Sequence, residues 1–316
     1  MSRPSSSSRT SLFAWAALIL PPLLWAGNFV VGRAVRDTMS PMSLSVGRWA
    51  VALVCLLPFA YGSIRRDWRA YWKHRGAVVG SSVVGIAAYN SVLYFGLRTT
   101  TASNALLLNS LAPLLIVVLG ALLYRQRLQW HQGLGLFLSS VGVVNLVLQG
   151  RWSQWHAISF VPGDAIILGA AILWAVYTIW LRQLPSHLDR AGLMTIQIAT
   201  ALVVMLPFLL AEHRLDPGPD WELSAYAAVA YVGVFSSALA YFFYMRAVEH
   251  FGPARAGLCI HLAPMFGVVL SALFLHEKLQ PYHAAGMSAI GAGLILSSVN
   301  WNGLEKPRWL STSAET

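Results

Sequence analysis

The side chains of this sequence best suited to binding a ligand are aromatic and amide groups set inside long apolar stretches. Tyr89, Asn90 and Tyr94 fall within about one helical turn, and Tyr241 and Tyr244 are three residues apart, on one helical face. Amides hydrogen-bond the charged ends of a zwitterion, and aromatic faces accept flat apolar groups and cations. The candidate binding residues, which occupy or flank such faces, are Trp25, Asn28, Tyr89, Asn90, Tyr94, Leu108, Asn109, Trp174, Tyr177, Tyr241, Tyr244 and His261.

The sequence predicts that this lining carries no fixed charge. All twelve acidic residues fall in loops or near the ends of apolar stretches, so no carboxylate proton relay is expected. Arg48 lies inside a stretch and is interpreted as a structural residue whose charged head reaches the membrane interface. If protons drive transport, His261 is the span-centred candidate that would titrate near neutral pH; facilitated movement down a gradient is the simpler interpretation. A structural alternative stays open, because aromatics also form interface belts and asparagines also join helices.

The sequence does not predict an enzyme. It contains no HExxH, GxSxG, CxxC or phosphate-loop motif, so no catalytic residue, metal ligand or cofactor is expected. Cys55 and Cys259 lie in apolar stretches and are not expected to pair. The net charge of +10 is assigned to membrane-anchoring loops and not to nucleic acid, because no basic stripe with interleaved aromatics occurs.

The elements that must position these residues are long apolar helices. The chain of 316 residues is 57% hydrophobic and only 11% charged, too apolar for a soluble domain. A bilayer core of about 30 Å needs about 20 apolar residues per helix. Ten stretches qualify, and an all-α membrane protein with ten transmembrane helices is therefore predicted. The stretches are 12–34, 43–61, 76–97, 102–123, 130–149, 163–181, 191–211, 224–245, 254–275 and 282–299.

The ten stretches form two repeats. Leu24-Trp25-Ala26 returns 149 residues later as Leu173-Trp174-Ala175, and Leu111-Ala112-Pro113 returns after 151 residues as Leu262-Ala263-Pro264. Five spans per repeat is an odd number, so the second repeat enters the membrane inverted, an arrangement typical of secondary transporters. The predicted units are a tail at 1–10, repeats at 11–149 and 163–299, a connector at 150–162 and a tail at 300–316.

The distribution of Lys and Arg predicts the orientation. With an internal N-terminus, fifteen of these residues fall on the inner side and six on the outer side. The positive-inside rule then places both termini in the cytoplasm and the connector in the periplasm.

Two further features recur in both repeats. Small residues stand in steps of four at Gly135 and Ser139 and at Ala285, Ala289 and Gly293, which predicts close packing of the fifth and tenth helices or a dimer contact. Prolines also match, Pro58 with Pro207 and Pro113 with Pro264, and predict kinks in cavity-lining helices.

The order of the motifs resembles that of a known transporter family. The residues that carry the resemblance are Leu24-Trp25-Ala26-Gly27-Asn28-Phe29-Val30, Ser40-Pro41, Arg48, Ala102-Ser103-Asn104-Ala105, Asn109-Ser110-Leu111-Ala112-Pro113, Gly252-Pro253-Ala254, Leu262-Ala263-Pro264, His276-Glu277-Lys278-Leu279, Gly286, Gly291 and Gly293. Over residues 12–299 the chain resembles the drug/metabolite transporter superfamily in its EamA-type, ten-span branch, and within it the bacterial inner-membrane exporters of amino acids, including aromatic ones. One departure is Gln126, the repeat mate of Glu277, where members often carry Glu in both halves.

The resemblance implies efflux of amino acids, drugs or other small metabolites across a bacterial inner membrane. Together with the uncharged lining, it predicts export of small amphipathic metabolites, aromatic amino acids favoured, by alternating access. The first alternative is efflux of drugs or organic cations, and a less favoured one is a membrane-embedded enzyme or scaffold. The expected partners are the small molecule and the lipid bilayer. The oligomeric state stays open, with a monomer favoured.

Overall fold

The computed structural model describes residues 6–100, 105, 108–109, 111–124, 129–153, 161–185, 188–215, 221–274 and 280–298. The regular structure of these residues is entirely helical. The first half contains α1 (Ser6–Ala34), α2 (Pro41–Lys73), α3 (Arg75–Ser81), the π-helical segment π1 (Ser82–Ala88), α4 (Tyr89–Thr99), α5 (Ala112–Tyr124) and α6 (Trp130–Val147). The second half contains α7 (Pro162–Gln183), α8 (Arg190–Leu215), α9 (Leu223–Tyr231), π2 (Val232–Leu239), α10 (Ala240–Leu258), a 3-10 turn (Cys259–His261), α11 (Leu262–Phe274) and α12 (Pro281–Ser298).

Helix length and composition identify a membrane protein. Five helical runs of the described chain are long and apolar enough to cross a bilayer, namely Pro41–Lys73, Arg75–Thr99, Pro162–Leu181, Arg190–Leu215 and Leu223–Gly252. Trp15–Phe29 and Ala112–Leu123 are shorter apolar helices. The all-α membrane class is thus confirmed, and the full set of ten spans stays a prediction. α1 begins at Ser6, inside the predicted tail, whereas most of the connector and the tail at 300–316 lie outside the described residues.

The two halves repeat the same order of helices. The α3–π1–α4 run of the first half corresponds to α9–π2–α10 of the second, and the two π segments start 150 residues apart, at Ser82 and Val232. π-helical turns are rare and are found mostly at functional sites. A π segment at the same place in both halves therefore marks the middle of these two helices as special.

The two halves pack against each other through equivalent helices. The first helix of each half packs against the third helical run of the other: α1 contacts π2 and α10, and α7 contacts π1 and α4. Tyr177 of α7 lies so close to Gly85 of π1 that a Cβ there would clash with its ring. Tyr231 of α9 restricts Gly27 of α1 in the same way. Side chains from both halves therefore meet at the centre of the bundle.

The fifth and tenth helices, α6 and α12, cross through glycines. A Cβ on Gly142 would lie 2.7 Å from the Gly286 carbonyl oxygen, and a Cβ on Gly293 would lie 2.5 Å from that of Gly135. As the number rises along α6 it falls along α12, so the helices are antiparallel. The repeat offset of 151 exchanges the two contacts, as expected for an inverted pair.

The predicted contact face of the fifth and tenth helices is corrected in one detail. Gly135, Ser139 and Gly293 lie in the crossing, but Ala285 is exposed. Gly286 and Ile290 of α12 are buried there instead. At about 100° per residue, Ala285 lies about 80° around the helix from Gly293, whereas Gly286 lies only about 20° from it, so a stripe in steps of four drifts off the contact face.

This crossing gives a stability prediction with an internal control. We expect Gly293→Ala to destabilise the protein by about 1–3 kcal/mol, because its methyl group meets backbone atoms of α6. Gly291→Ala in the same helix meets nothing within 4 Å and should gain up to about 1 kcal/mol from helix propensity. Thermal unfolding in detergent measures both, and equal effects of the two changes would contradict the crossing.

The matching prolines Pro113 and Pro264 stand at helix starts. They occupy the second position of α5 and the third position of α11. Proline has no N–H for the carbonyl four residues earlier, which here belongs to Asn109 and Ile260. The fourth and ninth stretches therefore break near these carbonyls, with a turn at Leu111 and the 3-10 turn before α11. The predicted kinks are helix breaks beside the centre of the bundle.

Candidate functional site

A narrow cavity lies at the centre of the bundle, where both halves contribute side chains. Its volume is about 20 Å³, room for roughly one water molecule. A larger ligand can enter only if the lining side chains separate. The lining residues are Trp25, Asn28, Phe29, Arg48, Tyr89, Asn90, Asn109, Trp174, Tyr241, Ile260 and Ala263.

The two repeated tryptophans meet in this cavity. Trp25 and Trp174, which occupy equivalent places in the two Leu-Trp-Ala phrases, make an edge-to-face contact with ring centroids 5.0 Å apart. Tyr241 packs edge-on against both, at 5.7 Å and 5.4 Å, and Tyr89 lies 4.8 Å from Trp174. Offset and edge-to-face pairs are the favoured aromatic geometries. The cluster forms a compact apolar wall that is built equally by the two repeats.

Arg48 of α2 is placed against expectation. The sequence predicts a residue that extends to the membrane interface and a lining without charge. In the structure its side chain is fully buried, with 0% exposure, and lines the cavity. The interpretation was wrong because α2 passes through the middle of the bundle at this point, and the guanidinium finds polar partners there instead of reaching the surface.

Neutral oxygen atoms surround the Arg48 guanidinium. Its Nη1 donates to Asn90 Oδ1 at 2.8 Å, to Asn28 Oδ1 at 3.2 Å and to the Tyr94 hydroxyl. Its Nε donates to Ser237 Oγ at 2.6 Å. Arginine stays protonated in proteins, so all of these groups solvate a permanent positive charge with dipoles.

The π2 segment contributes a backbone oxygen to the same cluster. The Ser236 carbonyl accepts from Arg48 Nη2 at 3.2 Å and from Trp25 Nε1 at 3.0 Å. The Ser236 hydroxyl donates to the Leu24 carbonyl at 2.9 Å, which ties α1 to π2. The π register thus lets one carbonyl serve side chains from two other helices.

The hydrogen bonds continue into the aromatic wall. Asn90 Nδ2 donates to the Tyr241 hydroxyl at 2.8 Å, and Tyr94 donates to Asn28 Oδ1 at 2.7 Å. In the described part of the chain, the ion pairs do not include Arg48. The cavity therefore has a positive charge at one end and an aromatic wall beside it.

The predicted site residues fall into four groups. Seven line the cavity: Trp25, Asn28, Tyr89, Asn90, Asn109, Trp174 and Tyr241. Tyr94 binds Arg48, while Tyr177 and Tyr244 pack against Trp174 at 5.5 Å and 4.9 Å. Leu108 is half-buried against the surrounding core. His261 is buried on the α6 side, with Nδ1 2.8 Å from Ser139 Oγ.

The sequence interpretation missed four lining residues: Phe29, Arg48, Ile260 and Ala263. For Arg48 a signal existed, since an ionisable residue inside a span is a functional candidate by default. Ile260 lies in the 3-10 turn before α11, and Ala263 lies in the first turn of α11. The three apolar residues carry no chemical signal, and only the fold places them in the lining.

A second, larger cavity opens at one end of the bundle. It has a volume of about 510 Å³ and lies where α7 ends, α8 begins and α10 reaches the break at Gly252. Arg190 Nε lies 3.2 Å from Glu249 Oε2 in its wall, and Arg246 Nη1 lies 3.5 Å from the same oxygen. Gly252 has φ 79° and ψ 163°, which glycine adopts without strain and which ends the preceding helix.

The opposite end of the bundle is tightly packed. A Cβ on Gly163, at the start of α7, would lie 2.7 Å from the Gly96 carbonyl oxygen of α4. Thr100, just after α4, donates to the buried carboxylate of Asp164. The two ends of the same helix α7 therefore differ, with a vestibule at its C-terminal end and closed packing at its N-terminal end.

Comparison with known proteins matches both halves of the chain. The pattern of the EamA-like transporter family fits residues 12–148 and again residues 161–299. The chain also aligns with a solved crystal structure at a TM-score of 0.72, with 20% sequence identity and coverage of 96% of this chain and 100% of the other. That likeness concerns the fold.

Two relatives align over most of their length. An uncharacterized transporter of Archaeoglobus fulgidus is 24% identical, over 89% of this chain and 96% of its own. A protein of Streptantibioticus cattleyicolor named "Probable terminal-alkyne amino-acid exporter" is 27% identical, over 96% of this chain and 98% of its own. The names of these relatives describe transporters and not enzymes.

Proposed function

The chain belongs to the EamA-like transporter family, and we propose that it exports small amphipathic metabolites, foremost amino acids with aromatic or apolar side chains. The observation that carries the proposal is the central cavity. Its wall of Trp25, Trp174, Tyr89 and Tyr241 suits an apolar or aromatic side chain, and polar groups lie at its edge. The name of the Streptantibioticus cattleyicolor relative supports an amino acid as the substrate.

The charge of the cavity weighs against organic-cation efflux. Aromatic faces attract cations, which kept this alternative open in the sequence. Arg48, however, places a permanent positive charge in the lining, and the acidic residues of the described chain lie elsewhere. A cation would be repelled inside a low-dielectric site, whereas a zwitterion can turn its carboxylate toward the guanidinium.

The difference between the two ends of the bundle supports alternating access. A vestibule of about 510 Å³ opens at the C-terminal end of α7, and the other end is closed by the Gly96–Gly163 packing. When each of two inverted repeats adopts the conformation of the other, the open end of the bundle closes and the closed end opens. We propose that this exchange, with opening of the aromatic cluster, moves the substrate across.

The orientation follows from charge. We propose ten spans as two inverted repeats, with both termini in the cytoplasm of a bacterial cell and the protein in its inner membrane. The excess of Lys and Arg on one side supports this orientation. In this orientation the vestibule faces the cytoplasm, which is the side from which an exporter takes its substrate.

Counterflow in proteoliposomes tests the function. Vesicles loaded with unlabelled L-phenylalanine should accumulate external radiolabelled L-phenylalanine through the purified protein, and protein-free vesicles should not. Panels loaded with other amino acids, sugars and organic cations rank the substrates. Exchange of organic cations in preference to every amino acid would overturn the proposal, as would a complete lack of amino-acid exchange.

A further inference from the structure

We infer that Arg48 binds the carboxylate of the transported molecule, and that this carboxylate, rather than an ammonium group, is what the site requires. The inference deepens the proposed transport function and rests on it, because the bound carboxylate is that of a transported molecule only if the protein is a transporter. It widens the substrate class from amino acids to small carboxylates with an apolar or aromatic body. The amino group becomes a tolerated feature of the substrate instead of a necessary one.

The first support is the uncompensated charge. Arg48 has 0% exposure, and in the described chain its partners are amide, hydroxyl and carbonyl oxygens. A buried charge is costly unless it is paired as well as hydrogen-bonded. Dipoles offset part of this cost, and an anion delivered by a ligand would offset the rest. The site is therefore built to gain from a negative group.

The second support is the hydrogen-bond capacity of the guanidinium. Nη2 carries two N–H groups, and the Ser236 carbonyl is the acceptor that the described residues supply. Nη1 also carries two N–H groups but has three acceptors around it, in Asn28, Asn90 and Tyr94. A carboxylate can take the open position on Nη2 and displace one amide from Nη1. Arginine commonly binds carboxylates in this two-pronged way.

The third support is the neutral character of the groups that remain for an ammonium. Asn109 accepts a hydrogen bond from Tyr89 at 3.4 Å and lies beside the helix breaks. Because Pro113 and Pro264 lack N–H groups, the Asn109 and Ile260 carbonyls have no helical donor from these prolines. Such dipoles bind an ammonium less strongly than a full charge binds a carboxylate.

The two repeats differ at this position, and the difference supplies a control. The repeat mate of Arg48, 149 residues later, is Gln197 of α8. Gln197 is also fully buried, but its Nε2 donates to Ser81 Oγ at 2.6 Å, and it is not among the lining residues. The duplicated position thus carries charge and faces the cavity in one half alone.

The first arm of the test uses the unaltered protein and three ligands that each carry a phenyl ring. These are L-phenylalanine, 3-phenylpropionate, which lacks the ammonium, and L-phenylalaninamide, which lacks the carboxylate. Ligand binding stabilises the folded state by RT ln(1 + [L]/Kd), so at one ligand concentration a tighter ligand raises the unfolding temperature more. We expect 3-phenylpropionate to bind within a few-fold of L-phenylalanine, and the amide to bind about 10- to 100-fold more weakly.

The second arm uses variants. Arg48→Gln should bind 3-phenylpropionate about 10- to 100-fold more weakly than the parent and should lose the discrimination against L-phenylalaninamide. Arg48→Lys keeps the charge and should retain part of this discrimination. Gln197→Leu should keep the discrimination of the parent. Size-exclusion profiles and unfolding temperatures without ligand report whether each variant is folded, and the first arm decides if Arg48→Gln is not.

The outcomes separate this inference from the proposed function. Equal binding of the amide and the two carboxylates overturns the inference and leaves amino-acid export standing. Arg48-dependent binding of 3-phenylpropionate with no amino-acid counterflow supports the inference and overturns the proposed function. Carboxylate binding that Arg48→Gln leaves unchanged overturns the inference, and so does lack of binding by all three ligands, whereas the proposed function then depends on the counterflow panel.

Discussion

Asn90→Asp should make the protein more stable and less active. Asn90 Oδ1 already accepts from Arg48 Nη1 at 2.8 Å, and aspartate has almost the same shape. The change therefore supplies the buried guanidinium with a fixed counter-ion. We expect a stability gain of about 1.5–3 kcal/mol, the range for hydrogen bonds to charged groups, together with a loss of transport of about 10- to 100-fold. Transport falls because a substrate carboxylate must now displace an internal one.

Unfolding temperature and counterflow, measured on the same preparation, check this prediction. Asn145→Asp is the matched control, because Asn145 lies in α6 and donates to the Tyr282 carbonyl at 2.8 Å, away from the cavity. The control introduces the same charge by the same exchange, and transport should persist while stability falls. If Asn90→Asp exchanges substrate as fast as the parent, the free positive charge of Arg48 has no part in transport.

Trp174→Ala should have the largest effect on stability. Its ring is 2% exposed and packs against Trp25, Tyr89 and Tyr244 with centroids 5.0, 4.8 and 4.9 Å away. Removal of a buried tryptophan leaves a cavity and typically costs about 3–5 kcal/mol. Because the same ring forms the wall shared by the two repeats, transport should be lost as well. Trp174→Phe keeps an aromatic face and should cost less in both respects.

Unfolding in detergent and counterflow again provide the measurements, with Trp130→Ala as the control. Trp130 stands at the start of α6 and is 67% exposed, so its loss should change stability by less than about 0.5 kcal/mol. A similar loss of stability in the two variants would mean that the central cluster does not hold the halves together.

The sequence by itself determined the class of the protein and its internal repeat. In a bilayer each backbone N–H and C=O must be satisfied within the chain, so runs of apolar residues near 20 in length predict helices without tertiary information. The repeated Leu-Trp-Ala phrase located both tryptophans of the central cluster, because a local pattern survives duplication. The packing of the fifth helix against the tenth could also be predicted from their small residues. In a bilayer no hydrophobic force drives helices together, so their contact depends on close approach of the backbones.

The tertiary structure alone decided the character of the site. The partners of Arg48 come from positions as near as Asn28 and as far as Ser237, which lies 189 residues away in the sequence. The sequence cannot distinguish an arginine that reaches the membrane interface from one whose partners lie on α1, α4 and π2, because both lie in apolar runs. The contact face of α12 at Gly286 instead of Ala285 depended in the same way on the rotation of a packed helix. Apolar run length is a local property of the chain, whereas the depth, rotation and charge environment of a side chain are set by which distant helices pack around it.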